Sequence, residues 1–408
     1  MKVLVLGAGY VGLATTLAVL ENGHEVDLLD SDLEKLQEIS RGQMPFFERN
    51  LSSGLDKFRQ NGALRFSKHQ NHYAVIIICV GTPSLASGEI DLSQISVAVQ
   101  YARDILEEGG TIVIKSTVLP GTTQTFQDAN PDLNFAMIPE FLREGSAVED
   151  SLNPDRIIYG ITEESKLKTL QELLNPKGKA NEIVTNLTTA ETAKYVSNSF
   201  FAMLIYFANY WDELAQMNAE IDVSVALNSL GIDRRLKSTD AQPIGLLSYI
   251  VPGIGFGGSC FPKDLRALSF ASRAKSPNFF QVILDANKNR VKVVADRVKR
   301  KHGSIIYIVA GMSFKEGTSD TRESPGLALF QHLSDQGERI FWWDELVEFT
   351  DPQLNNSRID NFEDFLDKNQ EVCILWTNHD SSLRTFLLRQ LVRRPLVRIE
   401  CLRGQRLQ

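Results

Sequence analysis

The chain has 408 residues, 43% of them hydrophobic and 23% charged, and it sets 43 Lys and Arg against 51 Asp and Glu for a formal charge of −8. At roughly 150 residues per domain this globular composition predicts two or three domains, and the acidic balance excludes a general nucleic-acid binder or a basic membrane-surface protein, so an anionic ligand must be held by local Lys and Arg. No apolar run approaches the ~20 residues of a membrane span, Met1-Lys2-Val3 leads straight into a strand-like segment, and four separated cysteines without a C-x-x-C pair argue against a disulfide framework or a zinc cluster; the expectation is a cytoplasmic protein with no metal site.

Val3–Leu6, Val26–Leu29, Ala74–Val80 and Thr111–Ile114 read as buried strands separated by amphipathic stretches, which predicts a doubly wound α/β sheet. The first strand runs into Gly7-Ala8-Gly9-Tyr10-Val11-Gly12 and then the helix-like Leu13–Glu21. A G-x-G-x-x-G alone is a weak signal. Here a strand precedes it, a helix follows, and Asp30 ends the second strand 18 residues after Gly12, where an acid binds ribose hydroxyls. Gly7 allows the tight turn, Gly9 lets a pyrophosphate reach the backbone, and Gly12 lets helix and sheet pack closely, with the helix N-terminus facing the phosphates. Asp30 repels a 2′-phosphate and Ser31-Asp32 supplies no base, so NAD is expected over NADP.

From Thr188 to Ile221 there is no Pro or Gly, and apolar residues recur at helical spacing. Thr188 and Glu191 have the spacing of a capping box, which predicts the helix start. Phe200 to Trp211 is apolar nearly all round, so burial between domains or between subunits is expected, and with it a homodimer through this helix. Lys194 and Asn198, at i and i+4, share one helix face. Further on, Pro252-Gly253-Ile254-Gly255-Phe256-Gly257-Gly258-Ser259-Cys260-Phe261-Pro262-Lys263-Asp264 provides four glycines within six residues, and Pro262 suits the first turn of a helix through Leu265–Ala271. Cys260 then stands near a helix N-terminus, which favours the nucleophilic thiolate. Cys79 and Cys373 fall in apolar runs and read as core, and Cys401 is unassigned.

Past His302 a second α/β pattern begins, with strands expected at Ile305–Val309, Ile340–Trp343, Val372–Trp376 and Leu396–Ile399. Gly23 precedes Asp30 by the same spacing as Gly337 precedes Asp344, which suggests two related open sheets flanking a helical middle. The expected fold is therefore α/β, with two Rossmann-like doubly wound domains joined by a long central helix. The expected division is 1–187, 188–300 and 301–408.

Gly7–Gly12, Cys79-Val80-Gly81-Thr82-Pro83, Lys115-Ser116-Thr117, Pro139-Glu140-Phe141-Leu142-Arg143-Glu144-Gly145, Lys194-Tyr195 with Asn198, Gly255–Asp264 and Phe314-Lys315-Glu316-Gly317-Thr318-Ser319-Asp320-Thr321-Arg322-Glu323-Ser324-Pro325 occur in that order. Together they resemble the UDP-glucose 6-dehydrogenase and GDP-mannose 6-dehydrogenase family. The resemblance implies a four-electron, NAD-dependent oxidation of a sugar C6 alcohol to a carboxylate. It implies Cys260 as nucleophile, through a thiohemiacetal and then a thioester, with Asp264 handling the activating proton or water. Lys194 and Asn198 would stabilise negative charge on the C6 oxygen, and Thr117 and Glu144 would order water. The implied cofactor set is Gly7, Gly9, Tyr10, Val11, Gly12, Asp30, Lys35, Thr82, Pro83, Thr117, Glu144 and Lys263. For the sugar nucleotide it is Glu140, Phe141, Leu142 and Arg143, Lys194 and Asn198, the loop Gly253, Gly255, Phe256 and Gly257 with Cys260, and Phe314, Lys315 and Arg322.

UDP-glucose is the first substrate expectation, GDP-mannose the second and N-acetylated sugars the third, because Ser259 and Lys263-Asp264 differ from the pattern of N-acetylhexosamine enzymes. Many relatives carry an arginine that reaches the neighbouring subunit's substrate; here Arg234 and Arg235 both stand in that region, and the altered pattern assigns the role to neither. Leu204, Tyr210 and Ile138 also depart from the usual pattern. Two rivals come from other classes. A two-electron hydroxyacid or 6-phosphogluconate-type dehydrogenase would not need Cys260, and a non-catalytic NAD-binding paralogue would not need the catalytic set at all.

Overall fold

Val3–Leu6 and Val75–Ile78 are unbroken buried apolar runs, the pattern of central parallel strands covered on both faces. In a computed structural model they lie side by side in β1 (Lys2–Leu6) and β4 (Tyr73–Ile78), paired in register from Val3 opposite Val75 to Leu6 opposite Ile78. With β2 (Glu25–Leu29), β3 (Leu64–Arg65), β5 (Leu106–Ile114), β6 (Asn134–Met137), β7 (Arg156–Ile161) and β8 (Asn181–Thr185) they form an eight-stranded sheet of order β3-β2-β1-β4-β5-β6-β7-β8. Among the described residues of this sheet, β6 and β7 are the one antiparallel pair of strands. The structure describes residues 1–67, 72–236, 245–369, 371–378, 385–387, 389, 394 and 396–402.

A second sheet of order β10-β9-β11-β12 is parallel throughout, built from β9 (Ile306–Ala310), β10 (Ile340–Trp343), β11 (Val372–Trp376) and β12 (Val397–Cys401). It repeats the β2-β1-β4-β5 half of the first sheet, and the repeat extends to single atoms. Gly7 has φ +104° and Gly311 φ +107°. A Cβ on Gly12 would lie 1.8 Å from the Gly7 carbonyl oxygen, and one on Gly326 would lie 2.4 Å from the Gly311 carbonyl oxygen. Asp30 accepts the Ala8 N–H, and Asp344 accepts that of Met312.

The chain divides into two compact units, Met1–Ser197 and Asn198–Gln408, and the boundary falls inside the central helix Leu187–Ala215. That helix ends six residues before the expected Ile221, and its start is not the expected capping box. The Asn186 side chain accepts the Thr189 N–H (2.8 Å), while Glu191, fully buried, turns away and accepts the N–H groups of Gly121 (2.5 Å) and Thr123 (2.6 Å). Glu191 thus caps a different helix, Thr122–Ala129, whose own N-cap residue is a glycine with no side chain to offer. The apolar stretch is also two-sided. Ala202, Leu204 and Ala208 are buried, whereas Phe200, Phe207, Tyr210 and Trp211 are each 41–49% exposed. Among the described residues no helix is long and apolar enough to cross a membrane.

Candidate active site

In the first unit the glycine turn leaves β1 for the helix Tyr10–Glu21. A Cβ on Gly7 would lie 2.6 Å from the Cys79 carbonyl oxygen, so the turn closes only with glycine there. Gly9 differs: a Cβ there would meet nothing within 4 Å, which leaves open space against its backbone. The helix begins at Gly9 without a side-chain cap, so first-turn N–H groups are available to an anion. Asp30 follows β2, accepts the N–H of Ala8 (2.6 Å) and Asp32 (2.9 Å), and pairs with Lys35 (2.8 Å). Burial opposes its ionisation, but Lys35 and the two N–H donors prevail and hold the carboxyl below its usual value. An open cradle at Gly9, an uncapped helix start and an ionised acid at the end of β2 fit a dinucleotide.

Tyr10 and Glu48 carry the cradle toward Glu144. The Tyr10 hydroxyl donates to the buried Glu48 carboxylate, which also accepts the N–H of Gly145 (2.8 Å) and Ala147 (2.9 Å). Sequence reasoning missed Glu48, because its partners stand 97 and 99 positions away. Thr82 donates to the Thr117 carbonyl (2.9 Å) and so ties the loops after β4 and β5 together.

Lys194 is buried. Its ammonium lies 2.7 Å from Glu140, with side chains 4% and 6% exposed, and the other Glu140 oxygen accepts the Leu142 N–H (2.7 Å). Burial works against the Glu140 charge, yet Lys194 overcomes it and the carboxyl titrates below its ordinary value. Phe141 lies under two cations, Arg156 at 3.9 Å from the ring centre and Lys194 at 5.7 Å. Arg143 reaches away and grips Asp150.

In the second unit Cys260 is the N-cap residue of helix Phe261–Ala271, with Pro262 in its first turn, as expected. Its thiol is half-buried, and Ser259 Oγ lies 3.6 Å from Sγ. Cys79 and Cys373 are the core residues the sequence predicts, and burial pushes both thiols up to about 12. One turn past Cys260, Asp264 is 1% exposed, accepts the Asn198 amide (2.6 Å) and pairs with Lys263 (2.7 Å). Lys194 and Asn198 therefore share a helix and each meets a carboxylate.

The cysteine loop packs on the segment after β9. A Cβ on Gly257 would lie 2.1 Å from the Glu323 carbonyl oxygen, and one on Gly258 2.7 Å from the Phe314 ring. The Gly258 N–H donates to the Arg322 carbonyl (2.9 Å), Arg266 pairs with Glu323, and the Arg322 guanidinium pairs with Asp320. In the region expected to hold an inter-subunit arginine, Arg235 pairs with Asp233 and is 88% exposed; residues 237–244 lie outside the described residues.

Fold and site together define a nucleotide-dependent oxidoreductase with a cysteine at a helix start. Models of the UDP-glucose/GDP-mannose dehydrogenase family match throughout: its NAD binding domain at residues 1–177, its central domain at 188–289 and its UDP binding domain at 308–398. The chain is 32% identical over 365 residues to a UDP-glucose 6-dehydrogenase of Rickettsia bellii, an alignment covering 85% of this chain and 81% of that one. Its fold matches a UDP-glucose dehydrogenase structure from Pyrobaculum islandicum (27% identity, TM-score 0.80, 94% of this chain and 91% of that one). It also matches a UDP-D-ManNAc dehydrogenase from Pyrococcus horikoshii (23% identity, TM-score 0.81, covering 98% and 94%). The chain belongs to the UDP-glucose/GDP-mannose dehydrogenase family. It is an NAD-dependent nucleotide-sugar dehydrogenase.

Proposed function

We propose that the chain oxidises the C6 alcohol of UDP-glucose to the carboxylate of UDP-glucuronate. The observation that carries this reading is Cys260 at the start of a helix, with Asp264 and Asn198 hydrogen-bonded one turn away. A two-electron dehydrogenase has no use for that thiol. NAD, held by the Gly7–Gly12 turn and Asp30, would supply the hydride acceptor, two equivalents for each sugar. Lys194 and Asn198 steady negative charge on the C6 oxygen as the alcohol becomes an aldehyde. The Cys260 thiolate then adds to the aldehyde carbon and forms a C–S bond, which gives a tetrahedral thiohemiacetal able to release the second hydride. Water hydrolyses the resulting thioester, restores the thiol and supplies the second carboxylate oxygen, with Asp264 handling the proton and Thr117 and Glu144 ordering the water.

Gly7, Gly9, Tyr10, Val11, Gly12, Asp30, Lys35, Thr82, Pro83 and Lys263 are proposed to hold NAD. Phe141–Arg143, Gly253–Gly257, Phe314, Lys315 and Arg322 are proposed to hold the sugar nucleotide, the last two pairing with its diphosphate. Glu140 supports this set by fixing Lys194. The stretches 1–187, 188–300 and 301–408 are proposed as the cofactor, dimerisation and sugar-nucleotide parts of a cytoplasmic homodimer.

UDP-glucose, GDP-mannose and UDP-N-acetylmannosamine, offered separately with NAD, test the substrate. UDP-glucose is expected to turn over best by kcat/KM; turnover with GDP-mannose alone would overturn the assignment and leave the family intact.

A further inference from the structure

Four glycines within six residues give the segment from Gly253 to Gly258 more backbone freedom than any other part of the site, and freedom in a ligand-binding loop weakens binding unless something else orders it. Two helices supply that order through side chains. On helix Phe279–His302, Asn287 meets Phe256 with both halves of its amide: Oδ1 accepts the Phe256 N–H (2.8 Å) and Nδ2 donates to the Phe256 carbonyl (2.9 Å). Gly255, at φ +112°, makes room for this. A Cβ there would lie 2.6 Å from Asn287 Oδ1.

Three residues on, Arg290 is 1% exposed and donates through Nε to the Gly253 carbonyl (2.7 Å). Its guanidinium is held by Asp212 (2.5 Å) and Glu213 (3.1 Å), and Asn209 of the central helix accepts the Gly253 N–H (2.7 Å). The backbone N–H and carbonyl of both Gly253 and Phe256 are thus satisfied by side chains from helices far away in sequence. A residue chosen only to pack one helix against another would be apolar. An amide aimed at both polar groups of one loop residue instead selects a backbone conformation.

We infer that Asn287, backed by Arg290, is a positioning residue for sugar-nucleotide binding: it holds the Gly253–Gly257 backbone in the conformation that takes the nucleotide sugar. This inference rests on the proposed role of that loop. If loosening the clamp leaves one chain in ten in the competent conformation, the apparent affinity falls about tenfold.

The test uses Asn287→Ala and Asn287→Asp, the latter keeping the shape and the acceptor while removing the donor to Phe256. KM is measured for UDP-glucose and for NAD separately, and hydrogen exchange is followed across residues 253–260. The expected result is a rise of about tenfold in the UDP-glucose KM, with the NAD KM within twofold and faster exchange at Phe256. An unchanged UDP-glucose KM, or both KM values rising together with a lowered melting temperature, would overturn it. If Asn287→Ala fails to fold, Asn287→Asp carries the same comparison. If the unaltered protein turns over no UDP-glucose, the functional reading fails on its own; the clamp is then judged by exchange at Phe256, and unchanged exchange there overturns it.

Discussion

At the scale of single residues, burial decides which charges can work. Glu140 and Lys194 form a buried pair whose members depend on each other, so removing one leaves an uncompensated charge at a cost of about 3–5 kcal/mol. Because Glu140 titrates below its usual 4.5 in the folded chain, its contribution is complete above pH 4.5 and is lost as pH falls through the lower folded value. Glu140→Gln is therefore expected to lower the urea midpoint at pH 7, with the difference narrowing progressively as pH falls below 4.5; a gap that stays constant with falling pH would contradict the pair's role. Asp30 offers a second check, since Lys35 is held by its carboxylate. Asp30→Ala should raise the KM for NAD about tenfold, one lost charged hydrogen bond, and improve NADP use by releasing Lys35 toward a 2′-phosphate. Ser31-Asp32 supplies no base of its own, but Lys35, which the family resemblance already places in the cofactor set, comes back from the first turn of the next helix to pair with Asp30.

At the scale of elements, sequence patterns served well where one period or one turn decides the outcome. Ile340–Trp343 and Val372–Trp376 are the strands the apolar runs predict, and Cys260 with Pro262 opens the helix its sequence suggests. Several misses come from tertiary contact. Thr188 and Glu191 match a capping box, but a buried Glu191 caps helix Thr122–Ala129 instead, a choice invisible from local spacing. Strand β8 is largely exposed at a sheet edge and leaves no buried run to read, while β6 and β7 also went unread although most of their residues are buried. Glu48 and Asn287 meet backbone groups distant in sequence, so no motif announces them. On the central helix, Phe200, Phe207 and Trp211 recur at spacings of seven and four and leave one apolar face open. Covered in a homodimer, that face should fail when charged: Phe207→Glu is expected to halve the mass seen by light scattering at micromolar concentration, and a monomeric unaltered protein would rule the dimer out.

At the scale of the whole molecule, one architecture serves two ends. Both units set a positive-φ glycine after a strand, a close helix and an acid at the end of the next strand. Their acids differ. Asp344 accepts four backbone N–H groups, from Met312, Ser313, Leu346 and Val347, which exhausts its carboxylate, whereas Asp30 accepts two and pairs with Lys35. Only the first unit keeps an acid with capacity left for ribose, so the repeat legible in the sequence as a shared spacing marks common architecture without common ligand. The proposed function is that an NAD site and a cysteine at a helix start together carry an alcohol to an acid. It is tested most directly by supplying excess NAD with a limiting, known amount of UDP-glucose and reading NADH absorbance at completion. Two NADH per UDP-glucose is the predicted result; one NADH per UDP-glucose would contradict the role of Cys260 and make the chain a two-electron dehydrogenase.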